Sequence, residues 1–506
     1  MIEKTKGKKS GNDQTYACVV VTPLIKYVAG PLLGPAILKG AGELDGYNVS
    51  VLDLNLEYIR LSDHLKSWRQ FEPFFYGDHS KPEWLNRVED IFWREIYESF
   101  NGSVTLTSLK KGWYDHDALD KATDTLSHSK MGELLETITH RCPTSKLFGM
   151  SVMWSGQVVP AMLLSKIIKR NNSNVRVVWG GAHMTAIIDQ IVSDGRFGDF
   201  IDGFLPGHCE GSFINLIESV KKGDFECPGL VIPGESPSGK PKTLVPPPNP
   251  VFEDLSVYGS PKLLLPFEVS KGCAYARCAF CTYPAVEGEY VTFPLDGLGR
   301  FVTYADNVGA GISFKDSLIP PAMLSSIAGI IKGRVEWSAC TKLSPGLDEK
   351  LLTYISKMGC RTLEVGLESL NRVTQARIDK IQPAWLLDKF LNAAEHAGIS
   401  VVLNYITGFP WENPKESEKL LNHLSSYLRS FHGLTARIEH NTFNLEVLSP
   451  IVRQPDRFDI AITGSWPWSS ILDWRKLGQP MVSFPSPQNR ISEQGNLSLS
   501  EEIGLR

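Results

Sequence analysis

Cysteine is scarce in this 506-residue chain, nine residues in all, too few for a disulfide-stapled scaffold, and an odd number leaves at least one unpaired. No uninterrupted apolar run approaches the roughly 20 residues that cross a bilayer. The amino-terminal lysines Lys4, Lys6, Lys8 and Lys9 are not followed by the apolar segment of a secretory signal. The expectation is a cytoplasmic protein with no membrane partner. A formal charge of −4 gives no electrostatic footprint for nucleic acid, and no internal repeat of fixed period is visible. What is present is an ordinary globular composition, 42% hydrophobic and 21% charged, over a length that a single core seldom fills, so two or three domains are expected.

The clearest boundary is Pro233 to Pro250, where seven prolines interrupt any helix or central strand. Before it, short apolar runs at Ala17–Thr22, Val49–Leu54, Leu147–Met153 and Val175–Trp179 read as buried strands. They alternate with helices at Pro31–Leu44, Val158–Lys169 and Glu210–Lys222, the pattern of a doubly wound parallel sheet. An insertion between about residues 58 and 140 is rich in aromatics (Trp68, Phe71, Phe74, Phe75, Tyr76, Trp84, Phe92, Trp93) and reads either as a cap on a ligand crevice or as peripheral packing. After the boundary, strands near Leu264–Ser270, Ile312–Asp316, Val335–Ala339, Thr362–Gly366, Val401–Ile406 and Arg437–Phe443 alternate with amphipathic helices at Met323–Ile331, Glu349–Met358, Trp385–His396 and Ser417–Phe431. Six such units predict a partial (β/α)6 barrel with its chemistry at the carboxyl ends of the strands. The division expected is therefore an α/β sheet domain over 1–232, a linker over 233–255, a barrel over 256–450 and an extension over 451–506 in which Trp466, Trp468 and Trp474 show no clear pattern.

Three of the nine cysteines fall together just past the first barrel strand. Cys273, Cys278 and Cys281 are separated by four and two residues, and three soft thiolates in one loop suit an iron–sulfur cluster. A structural zinc, which normally takes four ligands in two separated pairs, is the alternative, although no second ligand pair lies at useful spacing. The remaining six, Cys18, Cys142, Cys209, Cys227, Cys340 and Cys360, lie singly and read as small buried hydrophobes. Three ligands on a four-iron cluster leave one iron open to an amino acid's amine and carboxylate.

The segment Gly272-Cys273-Ala274-Tyr275-Ala276-Arg277-Cys278-Ala279-Phe280-Cys281 resembles the cluster loop of the radical SAM superfamily, departing from its commonest form by one extra residue in the first gap. The resemblance implies a [4Fe-4S] cluster on the three cysteines, S-adenosylmethionine (SAM) on the open iron, and an external electron donor such as flavodoxin or ferredoxin. Segments following in order also resemble the family. They imply SAM contacts from Phe280 against adenine, Asp316 near the methionyl part, Lys342 with the carboxylate, Glu368 and Ser369 with the ribose, and Gly408 in a close backbone approach. No acid, base or hydrogen-abstraction residue is assigned.

In the first half, Pro31-Leu32-Leu33-Gly34-Pro35, Leu52-Asp53-Leu54-Asn55, Ser151-Val152-Met153, Gly180-Gly181-Ala182-His183 and Gly207-His208-Cys209-Glu210-Gly211 resemble the cobalamin-binding domain of a radical SAM subclass. Cobalamin contacts are thereby implied for Ser151, Gly180, Gly181, His183, Gly207 and His208. No Asp-x-His-x-x-Gly follows the first strand, so no histidine is offered to cobalt, and loss of cobalamin is the alternative to retention. The subclass implies a methyltransferase acting on an unactivated carbon of a small molecule or peptide. The alternatives are cobalamin-independent radical chemistry, such as rearrangement or cyclisation, and a non-catalytic iron–sulfur or zinc protein.

Overall fold

The computed structural model describes residues 16–23, 30–61, 100, 105, 108, 111–142, 144–236, 239–258 and 263–477. The insertion's aromatics named above lie outside the described residues, as do the amino-terminal lysines and the chain after residue 477. Five parallel strands form the first sheet: β1 (Ala17–Val21), β2 (Val49–Asp53), β3 (Leu147–Ser151), β4 (Arg176–Gly180) and β5 (Gly203–Leu205), in the order β2-β1-β3-β4-β5. β1 is buried at every position, as a central strand covered on both faces must be, and its Val-Val-Val run supplies the branched side chains such strands favour. Sequence order reverses between β1 and β3, which opens a crevice at the carboxyl ends of the strands. Strand β5 and the helix Ala182–Ile191 are elements that the apolar pattern alone did not mark.

The second sheet starts at β6 (Leu264–Phe267). A short antiparallel hairpin, β7 (Ser270–Lys271) with β8 (Val291–Thr292), follows. Then come β9 (Gly311–Phe314), β10 (Trp337–Thr341), β11 (Cys360–Glu368), β12 (Ser400–Thr407) and β13 (Ala436–Thr442), giving a six-stranded parallel sheet in the order β13-β12-β11-β10-β9-β6. This is the expected open barrel. The third strand lies two residues later than its apolar run suggested, because Val335 and Glu336 belong to the turn before it, and a helix at Asp296–Asn307 adds to those expected. Side-chain caps start the outer helices: Asp348 accepts from the amide of Leu351 at 2.9 Å and Asn413 from that of Lys415 at 3.0 Å. The helices bury Ile327, Leu352 and Phe390 against Ile312, Leu363 and Leu403 of the strands. Alternate strand residues Ser313, Ser338, Cys340, Thr362, Glu364 and Asn404 line the lumen instead.

The carboxyl-terminal segment has a structure its sequence did not reveal. β14 (Leu445–Glu446), β15 (Ile460–Gly464) and β16 (Ile471–Lys476) form a small antiparallel sheet against Phe409 and Phe443 of the barrel. Between β15 and β16 the chain reaches back into the first domain. There Trp468 is completely buried, 4.7 Å edge-on to Phe197 and 5.9 Å from Trp179. Ser469 Oγ donates to the carbonyl of Lys111, and Gln190 donates to the carbonyl of Ser469 at 3.1 Å. Just past its end, the proline-rich segment is fastened to both domains: Val251 donates its amide to Ala36 at 3.0 Å, and Phe252 packs 6.2 Å from Phe301. Trp468→Ala is therefore expected to lower stability by about 3–5 kcal/mol, read as a fall in the urea midpoint; a loss below about 1 kcal/mol would contradict a stapling role.

Candidate functional site

The barrel lumen is a cavity of about 670 Å³ opening at the carboxyl ends of β9 to β11. Cys273, Cys278 and Cys281 all line it, each partly accessible. Burial pushes the Cys278 thiol up to about 11 and the Cys281 thiol up to about 12, so a metal group that takes them as thiolates must displace their protons. Among the described residues no three Cys, His, Asp or Glu side chains converge at the spacing of a single ion.

Local sequence accounts for the loop. The β7–β8 hairpin closes its base, and Gly272 turns there at φ +72°, where a Cβ would stand 2.7 Å from the carbonyl oxygen of Glu289. The longer first gap is taken up at Ala276, φ +49°, and by Tyr275, whose hydroxyl donates to the Asp379 carbonyl at 2.6 Å. Ala279 donates its amide to Ile378 and accepts from Ile451, so the barrel and the carboxyl-terminal segment both hold the loop.

Of the expected SAM contacts, Phe280, Asp316, Lys342 and Glu368 line the cavity with the cysteines. Asp316 is turned toward the loop's approach, accepting from the amide of Val269 at 3.1 Å and Ser270 Oγ at 2.6 Å, and burial lifts its carboxyl to about 6. Lys342 sits 4.7 Å over the Tyr275 ring. Glu368, at φ +64°, pairs with Lys380 at 2.8 Å, and both are buried. Gly366 must lack a side chain for this pair to fit, since a Cβ would meet Lys380 Nζ at 2.5 Å. Lys380 lies twelve positions after Glu368, and sequence reasoning missed it for want of any local pattern. Ser369 and Gly408 are not brought to the cavity: Ser369 Oγ accepts from the amide of Asn371 at 3.1 Å, and Gly408 turns at φ +81° just after β12.

The first domain offers its strand ends to the same region. Ser151 ends β3, and its carbonyl accepts from Thr22 Oγ1 at 3.0 Å. Gly180 ends β4, and Gly181 follows at φ +109° over the backbone of Val152. Gly207 turns at φ +70° beyond β5. His183 is not at this edge in any accessible sense. It is buried with Nε2 3.0 Å from the carbonyl of Trp468, and burial holds its imidazole down at about 4, so it secures the carboxyl-terminal segment. His208 stays at the edge, with a buried Nε2 that has no hydrogen-bond partner, and burial together with Lys271 depresses it to about 4.

Between His208 and the cysteines lies a buried polar knot that sequence patterns did not expose. Lys271 Nζ meets Glu210 Oε1 at 2.5 Å, both residues almost fully buried, and the second oxygen of Glu210 has no partner among the described residues. Glu268 and Glu287 lie near Lys271, and Asp316 lies near both of these carboxyls. Burial pushes Glu268 up to about 8.

No family model matches the sequence. An uncharacterised methyltransferase of Pyrococcus horikoshii is 23% identical over 342 residues, 63% of this chain and 71% of that protein. The radical SAM methyltransferase TsrM of Kitasatospora setae, solved with cobalamin and a [4Fe-4S] cluster bound, matches with a TM-score of 0.56 at 15% identity, over 89% of this chain and 81% of that one. The cobalamin-dependent SAM radical enzyme OxsB, solved with aqua-cobalamin and SAM, matches with a TM-score of 0.60 at 12% identity over 92% of this chain, which spans 64% of that protein.

The buried carboxyl of Glu268 gives a signed pH dependence. Its folded value near 8 lies above the roughly 4.3 of an unfolded glutamate, so the native state holds a proton that the unfolded state releases. Stability then falls as pH rises through that window. Glu268→Gln is expected to flatten the decline and to be more stable than the parent at about pH 9; parallel urea-midpoint profiles would contradict this. The chain has the two-part fold of the cobalamin-dependent radical SAM methyltransferases, a parallel sheet domain facing a partial barrel.

Proposed function

We propose that this chain is a radical SAM enzyme, a cobalamin-dependent methyltransferase acting on an unactivated carbon of a small molecule or peptide. The observation that carries the reading is the meeting of three cysteines on one cavity, at the carboxyl mouth of a parallel barrel whose cysteine loop is tied to a second parallel-sheet domain through Lys271 and Glu210. Cys273, Cys278 and Cys281 would hold a [4Fe-4S] cluster, leaving one iron for SAM. With an electron from a flavodoxin- or ferredoxin-like donor, that cofactor pair supplies a 5′-deoxyadenosyl radical and methionine by reductive cleavage of the carbon–sulfur bond. The protein's own share is positional. Lys342, near Cys278, is suited to the SAM carboxylate, Phe280 to the adenine, and the Glu368–Lys380 pair to the ribose hydroxyls.

The residues at the sheet edge also fit cobalamin. Gly180, Gly181 and Gly207 keep the strand ends free of side chains, and His208 Nε2 and Glu210 Oε2 are buried without partners. A corrin's peripheral amides offer the donors that such orphaned atoms require. His183 is not suited to bind cobalt, being engaged by Trp468.

The test is anaerobic reconstitution of the full chain, followed by quantification of iron, sulfide and cobalamin and an assay for 5′-deoxyadenosine. The expectation is about four irons per chain, SAM cleavage, and retained cobalamin. Replacing any one of Cys273, Cys278 or Cys281 by alanine should abolish cleavage. Cleavage without cobalamin would sink the methyltransferase reading, and stoichiometric zinc without iron would sink the radical one.

A further inference from the structure

The lumen carries more charge than SAM and three cysteines call for, and most of that charge is matched within the protein. Arg361 pairs with Glu336 at 3.0 Å, Arg437 with Glu439, and Lys380 with Glu368. Two groups stand apart. Among the described residues the ammonium of Lys315 has neither a hydrogen bond nor an ion pair, although it projects into the cavity. Glu364 also faces the cavity, with one oxygen fixed by Asn404 Nδ2 at 2.8 Å and the other open.

Strand register brings these two groups to one level. Ser313 is paired with Ser338, and Cys340, two residues further along β10, is paired with Glu364. Lys315 follows Ser313 by two residues on the same face. Lys315, one residue past the end of β9, therefore lies on the same wall of the cavity as Cys340 and Glu364, about 10 Å from the Glu364 backbone at the usual strand spacing. The Lys315 ammonium feels the opposing field of Glu364 and is otherwise destabilised by loss of water. The lysine nearer the cluster loop is Lys342, which senses Cys278, whereas Lys315 does not. Lys342 is thus the better placed for SAM, and Lys315 remains for something else.

We propose that Lys315 and Glu364 are the substrate-recognition pair of this lumen, taking a small zwitterion of the free amino-acid class, with its carboxylate on Lys315, its ammonium on Glu364 and its body across Cys340. This rests on the reading of the barrel as a radical SAM active site and supplies the substrate class. A cation and an anion on the wall of one cavity, each with unused capacity, select a ligand with complementary charges. They discriminate against one that lacks either charge, because such a ligand forfeits one of the two charge-assisted contacts.

The test is isothermal titration calorimetry of the reconstituted full chain with the proteinogenic amino acids one at a time, each compared with its carboxamide and its N-acetyl derivative. At least one free amino acid should bind, and its carboxamide and N-acetyl forms should bind at least about tenfold more weakly. Lys315→Met should abolish the preference for the free carboxylate, Glu364→Gln the preference for the free ammonium, and Lys315→Arg should retain binding. If the two residues merely neutralise each other, the double exchange Lys315→Glu with Glu364→Lys would restore wild-type affinity, and that result would overturn the proposal. So would binding of no free amino acid, or a carboxamide that binds as tightly as its parent. Binding without methyl transfer would count against the methyltransferase reading alone, and methyl transfer to a compound without an amino-acid end would count against this proposal alone.

Discussion

The buried ion pair between Lys271 and Glu210 is the contact on which the geometry of the site depends. Glu210 opens the helix that follows the last strand of the first sheet, and Lys271 stands two residues before Cys273. One interaction thus fixes the spacing between the crevice of one domain and the cysteine loop of the other. A buried pair of this kind contributes little net stability against an apolar alternative, but losing one partner strands a charge and costs about 3–5 kcal/mol. What the pair supplies is registry. Its surroundings reinforce the point: Asp316 holds Val269 and Ser270 on the approach to the loop, and Glu287 reaches Ser317 at 2.8 Å.

A second fastening runs through the carboxyl-terminal segment. It packs on the barrel through Phe409, Phe443 and Leu445, donates the Ile451 amide to Ala279 of the loop, and then buries Trp468 among Trp179 and Phe197 of the first domain. Two independent clamps between the domains fix their separation without occupying the cavity.

Most strands of the two parallel sheets were legible because they are short buried apolar runs set between helical patterns, whereas the three-residue β5 was too short to show one. The cysteine loop was legible because its three thiols are adjacent in sequence. The pairs that shape the site were not. Lys271 and Glu210 are 61 residues apart, and a lysine in a loop or a glutamate at a helix start looks solvated until the fold buries both. Lys380 is hidden for the same reason. His183 and Ser369 carried the right residue types beside the right strands, but the backbone turns His183 into the core and Ser369 into the start of the next helix. Trp468 has no periodicity because it is a single knob in a borrowed hole.

The central claim is that the three cysteines hold a cluster with an open iron that SAM ligates directly. Electron paramagnetic resonance of the reduced, reconstituted protein tests it most directly. The account predicts the signal of a reduced [4Fe-4S] cluster whose g-values shift when SAM is added. A reduced cluster whose spectrum is indifferent to SAM, or the absence of any cluster signal, would contradict it.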